Sequence, residues 1–175
     1  MQVKRMLFLC VVLALGLTPM FAANVVYSLS GNTGAVISGT DCFGAANQNG
    51  DMVSATIKST ASPTKTTATT ATYNIPKGGV TGTIVTALGP ASFTSTSVWK
   101  MTVYHVANPW LKFTGAGPDG SITANAYVPK GSITAAWLKH PKGFTKSETL
   151  TSKSNVEYTG CGGTTKIGIN SGTIN

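Results

Sequence analysis

Beyond residue 24 the chain alternates apolar and polar residues with a period of two. Val25/Tyr27/Leu29, Val53/Ala55/Ile57, Val80/Gly82/Ile84, Trp99/Met101/Val103, Ile122/Ala124/Ala126/Val128 and Ile133/Ala135/Trp137 each put alternate side chains on one side of an extended backbone. That period marks strands with one face buried. No long stretch keeps the i, i+3, i+4, i+7 spacing of an amphipathic helix, so helices should be minor. Parallel sheets, covered on both faces, would read as solid apolar runs separated by helices, and neither occurs. The pattern predicts an all-β fold, an antiparallel β-sandwich or jelly-roll-like barrel.

Turn chemistry punctuates the strands. Pro118-Asp119-Gly120-Ser121-Ile122-Thr123-Ala124 recurs eleven residues later as Pro129-Lys130-Gly131-Ser132-Ile133-Thr134-Ala135, with shorter relatives at Pro76-Lys77-Gly78 and Pro141-Lys142-Gly143. Proline presets φ for the first central position of a turn and glycine takes the left-handed position after it. Repeated at this spacing, the unit predicts a β-meander over roughly 118–152. A short period with threonine arrays (Thr67/Thr69, Thr81/Thr83, Thr94/Thr96) also raises a β-solenoid with a flat, ice-binding type of face. Residues 59–72, rich in Thr, Ser and Ala, read as an exposed loop, an O-glycosylated stretch or an edge strand, and 47–51 as a turn.

The first 23 residues have a different character. Lys4 and Arg5 precede an apolar run from Met6 to Leu17, and small residues follow at Ala22 and Ala23. This is the layout of a signal peptide, and the run is shorter than the roughly 20 residues of a membrane-spanning helix. The expectation is an exported chain, extracellular or at the cell surface, with one domain over 24–175 and no transmembrane segment once the signal is removed. Cys10 leaves with the signal. Cys42 and Cys161 remain as an even pair in an oxidising compartment and are expected to form a disulfide.

Charge narrows the partners. The whole chain carries a formal +8; without Lys4 and Arg5 the remainder has 11 Lys against 5 acids, or +6, and no arginine. Arginine is the residue suited to bidentate recognition of phosphate and guanine, so its absence argues against a sequence-reading nucleic-acid binder. Lysine alone permits salt-sensitive attraction to an anionic surface. Asn-x-Ser/Thr sequons are absent.

Little in the sequence points to catalysis. Asp41, Asp51, Asp119, Glu148 and Glu157 form no pair with the spacing of a glycosidase, and no nucleophile elbow, phosphate loop, zinc motif or calcium loop is present. No enzyme activity, metal or cofactor is expected. His105 by parity shares the buried face of Trp99, while His140 sits at a solvated turn. Trp99 and Trp137 read as core. Trp110, Tyr104 and Tyr127 fall opposite or outside the apolar alternators and are the candidates for stacking on sugar rings. Lys77, Lys130 and Lys142, at the tips of Pro-Lys-Gly turns, are candidates for an anionic rim. The expected function is a non-enzymatic surface, adhesive or fibre-type structural protein that associates with itself through a sheet edge. The alternative is a lectin-like module for neutral or acidic glycans using the aromatic and lysine residues just named.

Overall fold

The computed structural model describes residues 25–38, 50–86, 89–117, 120–160 and 163–175. The expected Cys42–Cys161 bond, Asp41, Asp119 and the signal segment lie outside the described residues.

Twelve strands form: β1 (Val25–Ser38), β2 (Met52–Ser59), β3 (Pro63–Thr66), β4 (Thr70–Ile75), β5 (Val80–Thr86), β6 (Gly89–Thr94), β7 (Trp99–Tyr104), β8 (Trp110–Gly117), β9 (Gly120–Tyr127), β10 (Glu148–Thr149), β11 (Asn155–Gly160) and β12 (Gly163–Ile174). They join in one antiparallel sheet ordered β3-β4-β7-β8-β9-β11-β12-β1-β2-β5-β6, with β10 added to β12. The all-β antiparallel class matches the alternation in the sequence, and alternating residues point inward as their period dictates: Tyr27, Ile57, Val80, Trp99, Met101, Val103 and Ala126 are all buried. The sheet curls into a half-barrel, consistent with the sandwich- or barrel-like fold expected. The register of β1 against β12 shifts after Asn32, Thr33 and Val36, irregularities of the kind that bend a strand and deepen twist. Every pairing is antiparallel, so the stacked rungs of a solenoid do not form.

The curl brings its two ends together without a continuous ladder. Thr60, just after β2, donates its amide to Asn74 of β4 at 2.9 Å, and Gly78, in the turn after β4, donates to Ser95, just after β6, at 2.8 Å. Inside, Phe93 of β6 stacks on Trp99 of β7 at 6.1 Å between centroids. Glycine makes room for both rings. A Cβ on Gly115 would lie 2.1 Å from the Trp99 indole, and one on Gly82 would lie 2.3 Å from the Phe93 ring. Each ring therefore lies against bare backbone, an arrangement that fixes the curvature of the wall.

The meander expected over 118–152 is the main correction. It yields β9, and then the chain leaves the sheet at Val128 and returns only at β10. Between them Ile133, Trp137 and Leu138 are buried, the last two in a short 3-10 turn over Ala135–Leu138. The local turn is nonetheless the expected one. Gly78 and Gly131 have φ of 75° and 92°, and the amides of Gly79 and Ser132 close back onto Pro76 and Pro129 at 2.8 and 3.2 Å. What differs is the destination: the Pro76 turn leads straight into β5, whereas the Pro129 turn carries the chain off the sheet, and Pro129 and Pro141 remove the amides that a strand between them would use. The expected alternation fails at its middle position: Ile133 and Trp137 are buried but Ala135 is exposed, because the chain turns there instead of extending.

This segment plugs the curl. Trp137 stacks with Tyr27 at 6.1 Å and with Phe144 at 4.9 Å. Tyr27 donates its hydroxyl to the Lys142 carbonyl at 3.0 Å, and Tyr73 donates to the Trp137 carbonyl. Residues 59–72 become the edge strand β3 and the start of β4. His105 follows the end of β7 and is half-buried in a turn, so the shared face with Trp99 stops one residue short of it. His140 is exposed as expected. Among the described residues no helix is long and apolar enough to cross a membrane.

Candidate functional site

Away from the plug, part of the inward face of the curl is left uncovered by the described residues. Leu29, Val53, Phe93, Ile122, Ala124 and Val156 point inward yet are only partly buried, because they bound a cavity of about 350 Å³ rather than one another. Protein interiors are packed so closely that voids larger than a water are few. This one has the volume of roughly ten waters, at about 30 Å³ each. Its deeper wall is Ile57, Val80, Trp99, Phe113, Ile167 and Ile169, and among the described residues no charged side chain lines it. By strand parity the inward-facing hydroxyl residues on the wall are Thr33 and Tyr158, 3% and 7% exposed. A wall of this kind offers water few partners and favours an apolar guest. A charged guest would lose its hydration without gaining a counter-charge.

The outer face carries the residues expected to bind sugar, and the structure brings all three together. Tyr104, Trp110 and Tyr127 are in register on β7, β8 and β9. Their rings form a ladder, Tyr104 to Trp110 at 4.0 Å and 5°, Trp110 to Tyr127 at 5.1 Å and 11°. Near-parallel rings at these separations cover each other's faces, so both faces of Trp110 are occupied within the protein. Stacking on a sugar needs an open ring face, and the ladder leaves none on Trp110. Such cross-strand aromatic pairs stabilise a sheet by about 0.5–1.5 kcal/mol each beyond area burial. Replacing Trp110 with Ala should therefore cost roughly 1–3 kcal/mol in urea unfolding, with Trp110→Phe recovering most of it. Beside the ladder lie polar rows in which Thr72 meets Thr102 at 3.3 Å and Asn125 donates to Asn155 at 2.9 Å.

No protein-family model, curated protein or solved structure matches the chain.

The remaining expectations separate in space. Lys130 and Lys142 come to one cleft on the plug, where Lys146 joins them, while Lys77 sits in the turn between β4 and β5, away from that lining. The sheet edges that would mediate self-association are β3 and β6. β3 has four residues including Pro63 and Lys65, and β6 has six including Pro90. Short strands, edge proline and edge lysine are the devices that blunt strand addition. The cavity was missed in the sequence because Leu29, Val53, Ile122 and Val156 look the same whether they pack on side chains or on empty space.

Proposed function

We propose that this protein is an exported, non-enzymatic binding protein that holds a small, uncharged, largely apolar molecule inside its curled sheet. The observation carrying this reading is the cavity of about 350 Å³ on the inward face, bounded by apolar side chains that are only partly buried among the described residues. Its volume falls at the lower end of the range for small-molecule sites, roughly 300–1,000 Å³. The stacked Phe93 and Trp99 rings form part of its wall, and a preformed wall lowers the ordering cost of binding.

Export and the Cys42–Cys161 bond belong to the same proposal. Ser38 on β1 pairs with Lys166 on β12, so neighbouring strands lead to the two segments that hold the cysteines. A bond spanning 119 positions would stabilise the fold by about 4–5 kcal/mol in the loop-entropy picture. The surface readings have less support: the ladder covers both faces of Trp110, and the edges a fibre would pair are short and carry proline.

The test is a titration with a neutral naphthylamine dye that fluoresces in apolar surroundings. The natural protein should bind one dye saturably. Ala124→Phe places a ring in the cavity from a half-buried wall position and should weaken binding by about tenfold or more, with the cooperative unfolding transition retained. Unchanged dye affinity in a folded Ala124→Phe protein would rule the interior out as the site.

A further inference from the structure

The plug has an outer surface as well as an inner one. Pro129–Ser132, Thr134 and Gly143–Lys146 enclose a second, open cleft of about 560 Å³, with Trp137 and Phe144 on its floor. Lys130 and Lys142 reach it from two different Pro-Lys-Gly turns, and Lys146 stands on its rim with a side chain 77% exposed. One acid faces these three lysines: Glu148, whose carboxylate is 4.0 Å from the Lys146 ammonium. The cleft thus has a net positive charge over a partly apolar floor, with hydroxyls from Ser132, Thr134 and Thr145 along its sides.

We infer that this cleft binds an acidic glycan, a chain of sugars bearing carboxylate or sulfate groups. Lysines match the anionic groups as point charges, the three hydroxyls match sugar hydroxyls, and Phe144, only partly buried, offers apolar surface to the sugar's C–H face. The concave shape distinguishes this ligand from a bilayer, which docks on flat or protruding surfaces with an inserted apolar side. Nucleic acid is disfavoured because the domain contains no arginine for phosphate or base recognition. The two sites share no lining residue, so this inference stands independently of the interior one. Its consequence is a protein retained on an acidic matrix while its interior stays free to carry cargo.

The experiment is calorimetric titration of the full domain with oligogalacturonate at an ionic strength of about 0.15 M. Saturable binding is expected. It should weaken by about tenfold or more in the Lys130→Gln/Lys142→Gln protein. A Lys77→Gln/Lys100→Gln protein loses the same charge from surfaces outside the cleft and should stay within about twofold, since isolated surface charges contribute little. Equal weakening in both variants would reduce the effect to diffuse charge and overturn the assignment. So would no binding by the natural protein, or tighter binding to DNA or to vesicles containing anionic lipid. A dye affinity for the interior that is unchanged in the Lys130→Gln/Lys142→Gln protein keeps failure of one site distinct from failure of the other.

Discussion

Replacing Trp99 with alanine is expected to destabilise the protein by about 3–5 kcal/mol, the range for deleting a large buried aromatic. Trp99 is 2% exposed, donates its indole N–H to the Ala116 carbonyl at 3.1 Å, and stacks on Phe93 across the seam. Losing it removes packing from three places at once: the bare backbone at Gly115, the Phe93 ring, and the wall of the cavity. The Ala116 carbonyl also loses its indole partner. A complementary route gives the same direction. Gly115→Val drives a side chain into the indole, with the first Cβ already 2.1 Å from it, and overpacking of this kind costs roughly 1–3 kcal/mol. Urea unfolding followed by circular dichroism reads both. A loss below about 1 kcal/mol for Trp99→Ala would mean that the seam does not depend on this ring.

Alkaline pH is expected to unfold the plug and then the domain. Burial raises the pKa of Tyr27 far above 10, with Tyr73 nearby adding to the rise, and burial pushes Tyr73 up to about 12. In the unfolded chain both phenols ionise near pH 10. Below that value both states keep their protons and these groups leave stability independent of pH. Above it the unfolded chain binds fewer protons than the folded one, so stability falls as pH rises. For Tyr73 the fall runs from 10 to about 12, and Tyr27 extends it further. The measurement is a thermal melt at a series of pH values, with phenolate absorbance recorded alongside. The melting temperature should hold steady to about pH 9.5 and drop beyond it, with two phenols appearing only as structure is lost. A melting temperature unchanged through pH 11 would show that the hydroxyls of Tyr27 and Tyr73 are not held inside.

Much of the fold was legible in the sequence because strand parity is a local property. Val53/Ala55/Ile57 and Trp99/Met101/Val103 could be assigned an inward face without knowing what lay opposite. The turn at Pro129-Lys130-Gly131 was legible for the same reason, since φ at Gly131 is set by three residues. Its exit from the sheet was not legible. Whether Ile133 and Trp137 continue a strand or lie across a core depends on Tyr27 and Tyr73, more than fifty residues away in sequence. Sheet closure was hidden too: two stacked sheets and one curled sheet place the same residues inward, and Gly82 and Gly115 favour the curl only once Phe93 and Trp99 are seen against them.

The candidate sites divide along the same line. Tyr104, Trp110 and Tyr127 were found by parity and do meet, but their mutual stacking, which closes the ring faces, depends on the register of β7, β8 and β9. Lys130 and Lys142 were placed at turn tips. Their convergence with Lys146 comes from the path of the plug. The interior cavity had no signal at all, because empty space leaves no mark on the residues that surround it.

Methyl chemical shifts on addition of a neutral apolar ligand test the central claim most directly. Leu29, Val53, Ile122 and Val156 line the cavity, whereas Val26, Val85 and Val98 are 48%, 44% and 57% exposed and lie outside it. The account predicts saturable shifts confined to the first group, with the second unmoved. Shifts confined to the outer valines, or scattered over both groups without saturation, would contradict it.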